Sequence, residues 1–289
     1  MKFSRLDLDG AGSPEALVAR ILKLEPGLGL PIPVEELCSG LDIIRIGDLD
    51  TDGFEAALLS DEVKSRGAIL VARGRSRQRR RFSIAHELGH FLIPTHMPPT
   101  DGQFLCSADQ LRLLPQKDQD RRARMEAEAN RFAALLLMPP PLLRARLRLA
   151  RRPRLEQLVD MAETFDVSRD AMARAYTEHH DEPVAVLICQ HGKVLRTYRS
   201  SSMPWLAVRA GGRVSRRSSD SGAALEIGSI TEPVEADPDD WFEGHAARKV
   251  AGLTEQTLIQ RDGFTMRLLH TELQDPDETD IEDRWRPRF

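Results

Sequence analysis

The chemistry-bearing residues of this chain are two histidines four positions apart, with a glutamate after the first. They lie in Phe82-Ser83-Ile84-Ala85-His86-Glu87-Leu88-Gly89-His90-Phe91-Leu92. On an α-helix, residues four apart share one face, one turn from each other. His86 and His90 are thus placed to offer two imidazoles to a single Zn²⁺, at Zn–N distances of about 2.0–2.1 Å. Glu87 is the candidate general base, taking a proton from a zinc-activated water and passing it to a leaving amine. H-E-x-x-H has this meaning only on a helix, and Ile84, Ala85, Leu88, Phe91 and Leu92 supply the apolar body of a buried one. Gly89 costs about 1 kcal/mol of helix propensity relative to alanine, which points to close packing there. The bland alternative is a core helix with two hydrogen-bonded histidines.

A catalytic zinc site takes three protein ligands and keeps one position open. The third is expected from Glu126-Ala127-Glu128-Ala129-Asn130-Arg131-Phe132-Ala133-Ala134-Leu135-Leu136-Leu137-Met138, a second helical segment stopped by Pro139-Pro140-Pro141. Glu126 and Asn130 share a face at i and i+4. That suits a carboxylate ligand at Glu126 and, at Asn130, a polar group that hydrogen-bonds a ligand and orients it. Glu128 points elsewhere on the helical wheel and is the second candidate ligand. Its bland reading is a solvated charge near a helix N-terminus. Substrate-binding residues carry no signal.

The pair RFSIAHELGH and EAEANRFAALLLMP, in this order and spacing, resembles the ImmA/IrrE family of zinc metallopeptidases. The resemblance covers roughly the first half of the chain. It implies that His86, His90 and Glu126 hold Zn²⁺, or another divalent metal, and that Glu87 is the base. It also implies a protein substrate, a helix-turn-helix repressor of XRE type, whose cleavage releases stress-response or mobile-element genes.

The 289 residues allow two domains, and a net charge of −4 with 30% charged residues gives no global attraction to nucleic acid or membrane. No apolar run reaches the roughly 18–20 residues needed to span a bilayer, and Met1–Asp7 lacks a signal-peptide apolar region. Three dispersed cysteines, Cys38, Cys106 and Cys189, fit a reducing cytoplasm. Cys106 falls between the two halves of the zinc motif, where an ordinary thiol is the simpler reading.

The expected fold class is α+β: a mainly helical, zincin-like peptidase domain with a small β-sheet over 1–150. A helix-turn-helix-like hairpin follows over 151–180, then a C-terminal α+β, GAF-like sensor or recognition module over 181–272, and an acidic tail over 273–289. Ser13-Pro14 opens the first helix, and Pro33–Leu37 opens a second. Ile43–Ile46, Ala56–Leu59 and Ala68–Val71 read as strands, the last two joined by the polar turn Ser60–Gly67. By analogy with other zinc peptidases, an edge strand would pair with extended substrate.

The arginine run 73–81 opposes the macrodipole of the zinc helix. It answers either to an acidic substrate or nucleic acid, or to nearby acids. A second run, Arg144–Arg154, suggests a cationic amphipathic helix. The hairpin Leu155–Tyr176, turning at Asp166-Val167-Ser168, has few side chains suited to base edges, so an αα-hairpin is preferred over a DNA reader. Adjacent arginines would still permit phosphate contacts. Further on, Val184–Cys189, Val194–Tyr198, Ala223–Ile227, Ala246–Lys249, Gln256–Ile259 and Phe264–Leu269 read as strands.

These readings converge on a zinc-dependent endopeptidase. The alternatives are a DNA-binding regulator with a structural zinc and an inactive peptidase-fold sensor. Glu87 separates them, because a structural site needs no carboxylate beside its ligands.

Overall fold

In a computed structural model of the protein, residues 3–50, 53–97, 103–106, 121–214 and 226–274 are described, those of 103–106 by backbone alone. The protein is a mixed α+β chain. It divides into two compact units, Met1–Leu142 with Ala162–Ser168, and Leu143–Met161 with Arg169–Phe289. Among the described residues, no helix is long and apolar enough to cross a membrane.

The first unit begins with α1 (Pro14–Leu24), whose Ser13 cap accepts the Ala16 amide at 3.2 Å while Pro14 occupies the first turn. Then come α2 (Val34–Gly40), β1 (Ile43–Leu49), β2 (Ala56–Ser60), β3 (Gly67–Ala72), α3 (Arg77–Leu92), β4 (Gln103–Cys106) and α4 (Arg121–Leu137). The strands form one sheet in the order β1-β3-β2-β4, with β1 parallel to β3 and the other pairs antiparallel. Helix α3 packs on β2, β3 and α4, and α1 covers α4. Ile84, Ala85, Leu88 and Phe91 of α3 are buried, as are Leu58, Ile69 and Val71 of the sheet. Full burial of each large apolar side chain contributes about 1.5–3 kcal/mol.

The arginines at the start of α3 are neutralised within this unit. Ser76 caps the helix by accepting the Arg79 amide at 3.2 Å. Asp48 pairs with Arg80 at 3.0 Å and Arg73 at 3.5 Å, and Glu55 with Arg75 at 3.0 Å and Arg79 at 3.3 Å. Asp166 pairs with Arg77 at 2.7 Å and Arg81 at 3.1 Å, and accepts from Gln78 Nε2 at 3.1 Å. Of the two readings of this run, pairing with nearby acids is the one observed. Asp166 stands at φ 51°, a left-handed conformation that aspartate tolerates better than most residues.

Next come α5 (Pro140–Leu147), α6 (Leu155–Phe165) and α7 (Arg169–His179). The expected cationic amphipathic helix over Arg144–Arg154 stops at Leu147, and the rest of the run is turn. In the second unit, Tyr176 of α7 donates to Gln157 of α6 at 3.0 Å, tying the hairpin together. After it run β5 (Val184–Gln190), β6 (Lys193–Arg199), β7 (Val234–Glu235), α8 (Pro238–Trp241), α9 (His245–Arg248), β8 (Val250–Ile259) and β9 (Phe264–Leu273). The sheet order is β6-β5-β9-β8-β7, antiparallel throughout. Leu187, Cys189, Trp241, Phe242, Leu253 and Leu269 belong to its core.

Two expectations change here. Ala246–Lys249 is not a strand but lies mostly in the short helix α9, since His-Ala-Ala-Arg lacks the alternation a strand needs, and β8 starts one residue later at Val250. The described end of the expected strand Ala223–Ile227 is turn; its first three residues, like the acidic tail from 275 and the Cys106 side chain, lie outside the described residues.

Asp166 is therefore expected to stabilise α3. Its carboxylate and the Arg81 side chain are each 11% exposed, so Asp166→Ala leaves a nearly buried guanidinium without its counter-charge. The expected loss is about 3 kcal/mol, measurable by urea unfolding, with Arg80→Ala, a more exposed pair, losing under about 1 kcal/mol.

Candidate metal centre

Helix α3 carries His86 and His90 one turn apart, and α4 brings Glu126 against them. His86 and His90 are fully buried, and Glu126 is 4% exposed. Their donor atoms lie within 4.8 Å of one another. The two Nε2 atoms are 3.1 Å apart, and Glu126 Oε2 lies 3.3 Å from His86 Nε2 and 3.6 Å from His90 Nε2. A tetrahedral ion with bonds of about 2.05 Å needs donor separations of about 3.3 Å. The triangle thus has the size such an ion requires, and its chemistry, two imidazoles and a carboxylate, is that of a zinc site.

The electrostatics suit the same use. Burial pushes the His90 imidazolium down to about 3, so the ring is neutral with a lone pair at neutral pH. Burial raises Glu126, but hydrogen bonds and charge from His86 and His90 outweigh it and hold the carboxyl below its ordinary range. Metal ligands must be in these forms. Asn130 Oδ1 lies 3.0 Å from His86 Nδ1, so that nitrogen donates and Nε2 is left facing Glu126. Glu87 is fully buried next to His86 in α3.

Glu128 is not part of this triangle. Its Oε2 accepts from His96 Nε2 at 2.8 Å. His96, which sequence reasoning passed over, is fully buried, and its Nδ1 lies 3.1 Å from His90 Nδ1. Pro94 ends the helical path, and the His96 amide donates to the Ile93 carbonyl at 3.2 Å, turning the chain back under α3. One signal was available: His96 stands ten residues after His86, the spacing of the third ligand in metzincins. Here Ile93 replaces the glycine of that pattern, and the geometry sets His96 against His90.

The close approach of α3 and α4 depends on Gly89. A Cβ there would lie 3.0 Å from Phe132 Cδ1 and 3.3 Å from Phe132 Cβ. The last turn of α3 is held by Lys64, which is buried and donates through Nζ to the carbonyls of His90 and Ile93, each at 2.8 Å. Its charge complements the helix C-terminus. The segment Ser60–Gly67 therefore contains a buried anchor, contrary to the expectation of a simple polar turn.

Residues 43–177 match the family model of the IrrE N-terminal-like domain, Peptidase_M78. No curated protein sequence matches the chain. Among solved structures, a Mycobacterium tuberculosis transcriptional regulator is similar at 14% identity and a TM-score of 0.50, over 89% of this chain and 87% of that one. At this identity the likeness is one of fold.

Gly89→Ala is expected to lower stability although alanine is the better helix former by about 1 kcal/mol. Phe132 is fully buried, and overpacking costs typically about 1–3 kcal/mol. A thermal midpoint equal to or above that of the native chain would show that α4 yields freely at this contact.

Proposed function

We propose that the protein is a zinc-dependent endopeptidase whose ligands are His86, His90 and Glu126 and whose general base is Glu87. The observation that carries this reading is the buried triangle of two imidazoles and one carboxylate, sized for a tetrahedral ion, with a further buried carboxylate adjoining the first ligand in sequence. Zinc in such a site lowers the pKa of water to about 7 and polarises a carbonyl. The chain's own groups do the rest. Asn130 orients His86, and the burial of all three ligands excludes competing water. Glu87 takes the proton of the attacking water and hands it to the departing amine.

The substrate we propose is a helix-turn-helix repressor of XRE type, cleaved to release stress-response or mobile-element genes. The match of residues 43–177 to the IrrE N-terminal-like family model supports this. A regulatory setting also accords with the likeness in fold to a Mycobacterium tuberculosis transcriptional regulator. Residues 181–272 then serve sensing or recognition rather than chemistry, since no ligand or base comes from them.

Two measurements test the reading. Elemental analysis is expected to find one zinc per chain in the native protein and none in His86→Ala/His90→Ala; full occupancy in the double variant refutes the ligand set. Glu87→Gln is expected to retain zinc and lose about 10²–10⁴-fold in cleavage of repressors encoded beside the gene. Native rates in that variant, with zinc bound, would leave a structural metal site instead.

A further inference from the structure

His96 is a fully buried imidazole to which the proposed mechanism gives no task. Both of its ring nitrogens are engaged, Nδ1 with His90 Nδ1 at 3.1 Å and Nε2 with Glu128 Oε2 at 2.8 Å. A neutral imidazole has one donor and one acceptor nitrogen, so once His90 Nε2 is given to the metal the contacts fix the protons of both rings. His90 presents Nε2 to Glu126 and His86, and a lone pair there requires the proton on Nδ1. That Nδ1–H donates to His96 Nδ1. The proton of His96 must then be on Nε2, where it donates to the carboxylate. With His90 Nε2 given to the metal and Glu128 ionised, no other assignment with both rings neutral satisfies the two remaining contacts.

We infer that His96 and Glu128 are positioning residues for the metal centre: His96 locks the ring orientation and tautomer of His90, and Glu128 locks those of His96. The inference rests on His90 being a metal ligand. Ligating histidines usually donate their second N–H to a carboxylate, a carbonyl or water, and this raises ligand basicity. Here a second imidazole is interposed, so a carboxylate that is 46% exposed acts on a fully buried ring. The arrangement also differs from that of His86, which donates to a neutral amide oxygen. The two imidazole ligands are thereby made unequal. His90, backed by an anion through His96, is the stronger donor. A purely structural role fits less well, because an apolar side chain would fill the space behind His90 without the cost of burying a polar ring.

The test uses the full-length protein and four variants: His96→Leu, His96→Asn, Glu128→Gln and, as reference, His90→Ala. Zinc affinity is measured by competition with a chromophoric chelator, and the ligand field from the visible spectrum of the Co²⁺-loaded protein. His96→Leu is expected to bind zinc about 10–100-fold more weakly, with a shifted cobalt spectrum that still reports a tetrahedral ion. His96→Asn, which restores an acceptor near the Nδ1 position, is expected to recover part of that loss. Glu128→Gln alters a half-exposed side chain and so serves if the His96 variants fail to fold. It is expected to weaken binding in the same direction and to shift the cobalt bands. ¹⁵N-histidine spectra of the native protein are expected to show the proton of His90 on Nδ1. Native affinity and an unchanged cobalt spectrum in both His96→Leu and Glu128→Gln would overturn the inference. Loss of metal in His96→Leu as complete as in His90→Ala would also overturn it, by making His96 a ligand. Failure of the native protein to bind zinc would refute the metal reading beneath it.

Discussion

For His86, His90 and Glu126 to hold one ion, as proposed, three atoms on two helices must meet within a few tenths of an ångström of a fixed separation, and much of the first unit can be understood as meeting that demand. Glycine at position 89 lets α3 and α4 touch through Phe132. The sheet lies behind α3 and α1 behind α4, so neither helix can retreat. Lys64 fixes the last turn of α3 by its carbonyls, and the acids Asp48, Glu55 and Asp166 fix its first turns. Interiors are close-packed, so a displacement at any of these points is passed on rather than absorbed.

Burial sets the protonation of the donors as well as their positions. A solvated histidine pair would protonate a little below neutrality, whereas His90 stays neutral far into acid because the imidazolium cannot be hydrated. The same desolvation would neutralise Glu126 were it not for the two imidazoles beside it. One helix pair therefore yields a lone pair on the His90 ring and a negative charge on Glu126 in the same dry space.

What sequence made legible follows from range. Helix periodicity and the H-E-x-x-H spacing are local, so α3, α4 and the candidates His86, His90 and Glu126 could be read directly, as could the Ser13-Pro14 start of α1. The partners of the arginines could not, because Asp48, Glu55 and Asp166 come from three separate parts of the chain and each acid has many equally plausible cations. Lys64 was hidden for a related reason: its partners are carbonyls, which every residue carries. His96 lies beyond the helix end, where periodicity stops, and only the fold decides whether its ring faces an ion, a neighbour or water. The two arginine clusters show the same limit. They read alike in sequence, yet the first is paired with acids at the start of a helix, while in the second Arg144, Arg148, Arg151 and Arg152 line a cavity of about 240 Å³, Arg152 also pairing with Glu272 at 3.2 Å.

Asp166 has a consequence for the order in which the chain is made. It lies 88 positions beyond Gln78, its partner in the first turns of α3. All three donor residues have been synthesised by position 126, but the acid that neutralises Arg77 and Arg81 has not. At about 5–20 residues per second, the nascent α3 waits several more seconds, the two guanidiniums opposing its own dipole. During this interval a ribosome-bound chain has His86, His90 and Glu126 but lacks one of the acids that hold the helix bearing the two histidines. Full neutralisation of the first turns of α3 thus waits on the hairpin turn and not on Glu126, and residues 43–177, which match the IrrE N-terminal-like family model, include both.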